Sequence, residues 1–187
     1  MRLPMMLMTG ALLMTAGRVS AQTGWRHVAP APGGISFDMP DGYQELTRPF
    51  QMGTFSTKAH IFMRDTGVEN MAVTYFESDE PFDAASCLRT FRDDFAANGT
   101  LTWDRDLQMG ESRGKWVKGT LKGKAVEMVV MVVGQRVYQV LFYAMSYLTE
   151  LLDSARFFNS VRFYTGNQVC GLAKGPDGNI STFCERR

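Results

Sequence analysis

Ala125-Val126-Glu127-Met128-Val129-Val130-Met131-Val132-Val133-Gly134-Gln135-Arg136-Val137-Tyr138-Gln139-Val140-Leu141-Phe142-Tyr143-Ala144 reads as two strands joined by one tight turn. In the first half Met128, Val130 and Val132 fall on one face, and Val129, Met131 and Val133 on the other. A strand that is apolar on both faces is covered on both faces. Gly134-Gln135 is a two-residue hairpin turn with glycine at its first central position. A connection this short forces the strands to run antiparallel, because a parallel crossover needs a dozen or more residues.

Upstream of this hairpin, Lys115 to Leu121 carries Trp116, Leu101 to Leu107 carries Trp103, and Lys122-Gly123 supplies a turn into the hairpin. Before them the period becomes helical. Ala84, Leu88, Phe91 and Phe95 form one stripe, opened by Asp79, Glu80 and Pro81 and closed by Asn98-Gly99 as a left-handed stop. Further upstream, Gly34 to Pro40 alternates as a half-buried strand, and Phe55 to Arg64 and Met71 to Phe76 make two more. Downstream, Leu148, Leu151, Leu152, Ala155 and Phe158 mark a second helix capped at Ser146, and Ser160 to Phe163 closes the compact part. The expectation is a single α+β domain, an antiparallel sheet covered by helices.

The ends of the chain read differently. Arg2, the uncharged run from Leu3 to Gly17, and small residues at Val19-Ser20-Ala21 have the form of a secretory signal peptide over residues 1–21. The run is short for a bilayer span, which takes about 20 apolar residues. Residues 22–33, with Pro30, Pro32 and Gly33, read as an irregular lead-in. Removing 21 of the 187 residues leaves 166, enough for one domain. Arg2 and Arg18 leave with the leader, so 20 basic residues become 18 against 19 acidic ones. Such a balance gives no reason to expect nucleic acid or an anionic membrane as a partner, and no later segment has the length and apolarity of a transmembrane span. The expected location is periplasmic or secreted.

Three cysteines remain. In an oxidising compartment Cys170 and Cys184 are the expected pair, because they bracket a loop of turn-forming residues. Cys87 lies on the apolar side of the first helix and reads as a small buried hydrophobe.

Reactive chemistry is sparse. His27 and His60 are the two histidines, and neither has a nucleophile signature nearby. Two isolated histidines and three cysteines lack zinc spacing, and Asp65, Glu69 and Asn70 read as a solvated hairpin corner rather than a calcium site. Eight mature methionines are dispersed and read as core filling. No catalytic residue and no cofactor is assigned. Two features could serve binding. Trp103 and Trp116 lie near Lys115, Lys118, Lys122 and Lys124, a mixture of aromatic and basic residues that suits an interaction patch. The alternative is that the indoles fill core and the lysines blunt an edge strand. The polar, Gly-rich tail 165–187 is the second, either a recognition loop or a protected terminus.

Gly34-Ile35-Ser36-Phe37 with Pro40-Asp41-Gly42-Tyr43, and Phe158-Asn159-Ser160-Val161-Arg162-Phe163 at the far end, resemble the PsbP-like group. That group includes the extrinsic oxygen-evolving protein of photosystem II and the Ran-binding nuclear import factor. The resemblance spans residues 34–164 and implies an α/β/α sandwich, used mostly as a docking or accessory module. It carries over no catalytic, metal or partner-binding residue. The functional expectation is an exported, non-enzymatic accessory or protein-binding module of the cell envelope. The alternatives are a carrier of a small apolar ligand between helix and sheet, and a carboxylate-based hydrolase.

Overall fold

The computed structural model describes residues 24–31, 33–52, 55–79, 82–145 and 152–187. The expected leader (1–21) and the Ser146 cap lie outside them. The chain order is β1 (Trp25–Val28), β2 (Ile35–Pro40), β3 (Gln44–Met52), β4 (Phe55–Asp65), β5 (Glu69–Glu77), α1 (Ala84–Asn98), β6 (Thr100–Met109) and β7 (Ser112–Leu121). Then come β8 (Lys124–Val133), β9 (Arg136–Ala144), α2 (Leu152–Ser160), β10 (Arg162–Thr165), β11 (Gln168–Lys174) and β12 (Ile180–Arg186). The strands build two antiparallel sheets, of seven strands in the order β3-β4-β5-β9-β8-β7-β6 and of five in the order β1-β2-β10-β11-β12.

This corrects the α+β expectation and the α/β/α sandwich implied by the PsbP-like resemblance. Of the described residues, strands account for 62% and helices for 15%, so the fold is mostly β. The β8–β9 hairpin does sit near the middle of the large sheet and is covered on both faces. On one face α1 lays Cys87, Leu88 and Phe95 over Val117, Met128, Val130 and Val132. On the other face, however, the cover is chiefly a second sheet. Trp116, Val129, Tyr138 and Phe142 pack with Phe37, Met39, Phe163, Leu172 and Ile180, and α2 adds Phe157 and Phe158 to that core.

The second sheet combines β2, which the alternation of Gly34 to Pro40 marks, with β1, β11 and β12, which come from stretches of little apolar period. β1 lies within the stretch read as an irregular lead-in and pairs with β2. The tail supplies β11 and β12, with Cys170, Leu172 and Ile180 fully buried. β3 was not visible in the sequence either. Pro49 interrupts it, which an outer strand tolerates because one side of its ladder is unpaired.

Local signals explain the rest. The β8–β9 turn has Gly134 at φ +60°, as the hairpin reading requires. Helix α1 is capped by Asp83, whose carboxylate accepts from the Ala85 N–H at 3.1 Å. Its end departs from the expected left-handed stop, because Gly99 is extended, with φ −153°. Glycine is needed there for proximity, since a Cβ would lie 2.3 Å from the Thr120 carbonyl oxygen.

Cys170 and Cys184 face each other across β11 and β12 and form the expected disulfide, which is compatible with an oxidising, exported location. They are separated by 14 residues. Replacing both with serine is expected to cost about 3 kcal/mol by the loop-closure argument, read as a lowered urea midpoint. An unchanged midpoint would mean that the bond adds nothing to the ladder around it. Cys87 is the free thiol and is buried. Burial pushes it up to about 11, and nearby Asp83 adds to the shift. Ellman's reagent at pH 8 should therefore label no thiol in the native protein and one per chain in denaturant. Rapid native labelling would contradict the packing of α1.

Candidate functional site

The large sheet's alternation decides which side chains meet. In the ladder Trp103 opposes Lys118, Arg105 opposes Trp116, and Lys118 opposes Glu127, so these five share one face. It is the face covered by the small sheet, and they stand where that cover ends. Trp116 is fully buried, whereas Trp103 on the outer strand β6 is 38% exposed. The two indoles meet edge to face, with centroids 4.4 Å apart. The Arg105 guanidinium lies 5.7 Å from the Trp103 ring and 5.2 Å from the Trp116 ring, and donates to the Ile180 carbonyl of β12.

Beneath this pair lies a buried charge network. The Trp116 Nε1–H donates to Glu127 Oε1 at 3.0 Å. Lys174, from β11, donates to Glu127 Oε2 and, at 3.1 Å, to Ser154 Oγ of α2. The Lys118 ammonium stands 3.7 Å from Glu127 Oε1, lies 4.5 Å from the Trp116 ring centroid and donates to the Gly178 carbonyl at 3.2 Å. Glu127 and Lys174 are each 9% exposed at their side chains. A buried carboxylate is costly unless it is paired and hydrogen-bonded, and Glu127 is both. Lys118, Glu127, Ser154 and Lys174 line a cleft of about 650 Å³, closed on one side by the turn from Gly175 to Gly178. Within that turn the Asn179 side chain and its backbone N–H bond the Asp177 carboxylate and hold it below its usual range, with Lys118 contributing.

The sequence patch therefore divides. Trp103, Trp116 and Lys118 come together. Lys115 points to the opposite face and pairs with Asp106 at 2.6 Å and Asp104 at 3.3 Å. Lys122 sits in the β7–β8 turn with φ 50°. Lys124 donates to the Gly67 carbonyl at 3.3 Å and lies 4.6 Å from the Tyr143 ring centroid. The two features separated in the sequence, the Trp/Lys set and the stapled tail, meet at one cleft.

Glu127, Arg105, Ser154 and Lys174 are the site residues that the sequence reading missed. Glu127 did carry a signal, as a lone carboxylate in a strand that is otherwise apolar on both faces. His60 is a strand residue stacked on Tyr75 at 4.8 Å, and His27 pairs with Asp38 at 3.0 Å. Asp65 accepts from the Gly67 N–H at 2.8 Å in its hairpin corner. Among the described residues, no group of three or more His, Cys, Asp or Glu is placed to hold a metal ion, and no helix is long and apolar enough to cross a membrane. A larger polar depression, of about 1110 Å³, lies where the turns at Gly110, Gly134 and Gly166 converge beside the start of α1. No protein-family model and no curated protein sequence matches this chain.

Proposed function

We propose that the chain is an exported binding module of the cell envelope that engages a protein partner through Trp103 and the cleft beside it. The observation that carries this reading is an exposed indole on an outer strand, braced by a buried one. Binding energy concentrates on such anchors, and a side chain already held in place loses little entropy on association. The cleft supplies a polar rim to the anchor. A non-enzymatic role is part of the proposal. Lys174 donates to the Ser154 hydroxyl, and an ammonium engaged by Glu127 has no lone pair with which to take that hydroxyl's proton. Kinship with the PsbP-like group also stands as a proposal, resting on the two end motifs.

Affinity capture from the native envelope tests the reading. Wild-type protein should retain a partner that Trp103→Ala loses at least tenfold, about 1.4 kcal/mol, with both proteins equally stable. Equal recovery by the two baits would remove Trp103 from the interface.

A further inference from the structure

On the face opposite Trp103, helix α1 and the β6–β7 hairpin enclose a groove of about 490 Å³. Ladder alternation sends Asp104, Asp106 and Gln108 of β6 and Arg113 and Lys115 of β7 to this side, where Asp106 opposes Lys115 and Gln108 opposes Arg113. From the helix come Arg89 and Arg92, one turn apart and so on the same flank. Four cationic side chains thus line a groove whose one lining carboxylate is Asp106. Leu88 and the Gly114 segment of β7 form part of its wall.

The acidic residues nearby are spoken for. Asp104 accepts from Arg92 at 3.1 Å and from Lys115 at 3.3 Å, and Asp106 accepts from Lys115 at 2.6 Å. Asp93, outside the groove, takes another nitrogen of Arg92 at 2.9 Å. Arg89 and Arg113, one on each wall, form no ion pair among the described residues. Two guanidinium forks facing a groove of ligand size leave a local positive excess in a chain whose total charge is near zero.

We propose that this groove binds the phosphate group of a small phosphomonoester, with Arg89 of the helix and Arg113 of the hairpin gripping its oxygens and the ion pairs of Arg92 and Lys115 holding the carboxylates of Asp104 and Asp106. A phosphomonoester carries a charge of roughly −1.5 to −2 at neutral pH, which matches two unpaired guanidinium groups. Arginine suits the task better than lysine, because its planar fork donates two parallel hydrogen bonds to one oxyanion. The site shares no residue with the Trp103 face, so either assignment can fail without the other.

The test is calorimetric titration of the full mature chain with glycerol 3-phosphate at low salt, with glycerol as the uncharged control. Saturable one-to-one binding is expected for the phosphate alone. The Arg89→Gln/Arg113→Gln variant should bind at least tenfold more weakly. Arg113→Lys, which keeps the charge and loses the fork, should fall between. Arg48→Gln on the far strand β3 should match wild type. Absence of saturable binding, or equal binding by the double variant, would overturn the proposal. So would retention on phosphatidylglycerol vesicles without binding of the soluble phosphate, since that outcome marks a membrane-attracting surface.

Discussion

Lys174→Met is expected to destabilise the protein by about 3 kcal/mol, because it leaves the Glu127 carboxylate buried without its closest counter-charge. Removing one member of a buried pair typically costs 3–5 kcal/mol, and the lower end applies because Lys118 remains 3.7 Å away. The companion variant is Glu127→Gln/Lys174→Met. It abolishes the charge while keeping an amide oxygen to accept from the Trp116 Nε1–H, so it should recover more than half of the loss. Urea unfolding of the wild type, both single variants and the double variant forms a complete cycle. A wild-type midpoint for Lys174→Met would mean that the pair is solvated and that no buried network underlies the site.

Trp116→Ala is expected to cost about 4 kcal/mol, within the range for truncating a buried aromatic side chain. The indole fills the core between the sheets, donates to Glu127 and backs the exposed Trp103 ring. Trp116→Phe divides these roles in part, because it retains an aromatic ring while losing the N–H donor and the packing of the indole's second ring. Leaving Glu127 Oε1 without that bond should cost about 2 kcal/mol, the range for a hydrogen bond to a charged group. Both variants should lose the near-UV circular dichroism that arises from two indoles held edge to face. If Trp116→Ala kept that signal, Trp103 would not be braced by Trp116, and the case for a rigid anchor would fail.

Much of the fold was legible where burial is two-sided or strongly periodic. The 125–144 stretch announced a central antiparallel hairpin because both faces of its first strand are apolar. The stripe Ala84, Leu88, Phe91 and Phe95 announced α1, although Asp83 rather than the earlier acidic residues caps it. Of the second sheet, β2 was legible from its alternation, whereas β1, β11 and β12 were not, for a physical reason. The sheet's outer strands, Trp25–Val28 and Ile180–Arg186, are short and mix apolar with polar and charged residues, and they gain their order from the strands and the large sheet beside them. Gly99 was recognised as a helix end for the wrong reason: the Thr120 carbonyl excludes a Cβ there, with no left-handed backbone involved.

The site was half visible. Trp103, Trp116 and Lys118 were picked out from proximity in sequence, but alternation along β7 sends Lys115 to the other face, which no count of neighbouring lysines reveals. The partner of Glu127 lies 47 residues further along the chain, on a strand the sequence concealed. A charge inside an apolar strand demands a counter-charge, yet it does not name one. That choice was made by the packing of β11 and α2 over β7 and β8.

The most direct test is photo-crosslinking in intact cells of the native host, with a benzophenone amino acid placed at position 103 and, as a control, at Lys58 on β4. A single discrete adduct from position 103, absent from position 58, is the result this account predicts. No adduct at position 103, or the same set of adducts from both positions, would contradict it.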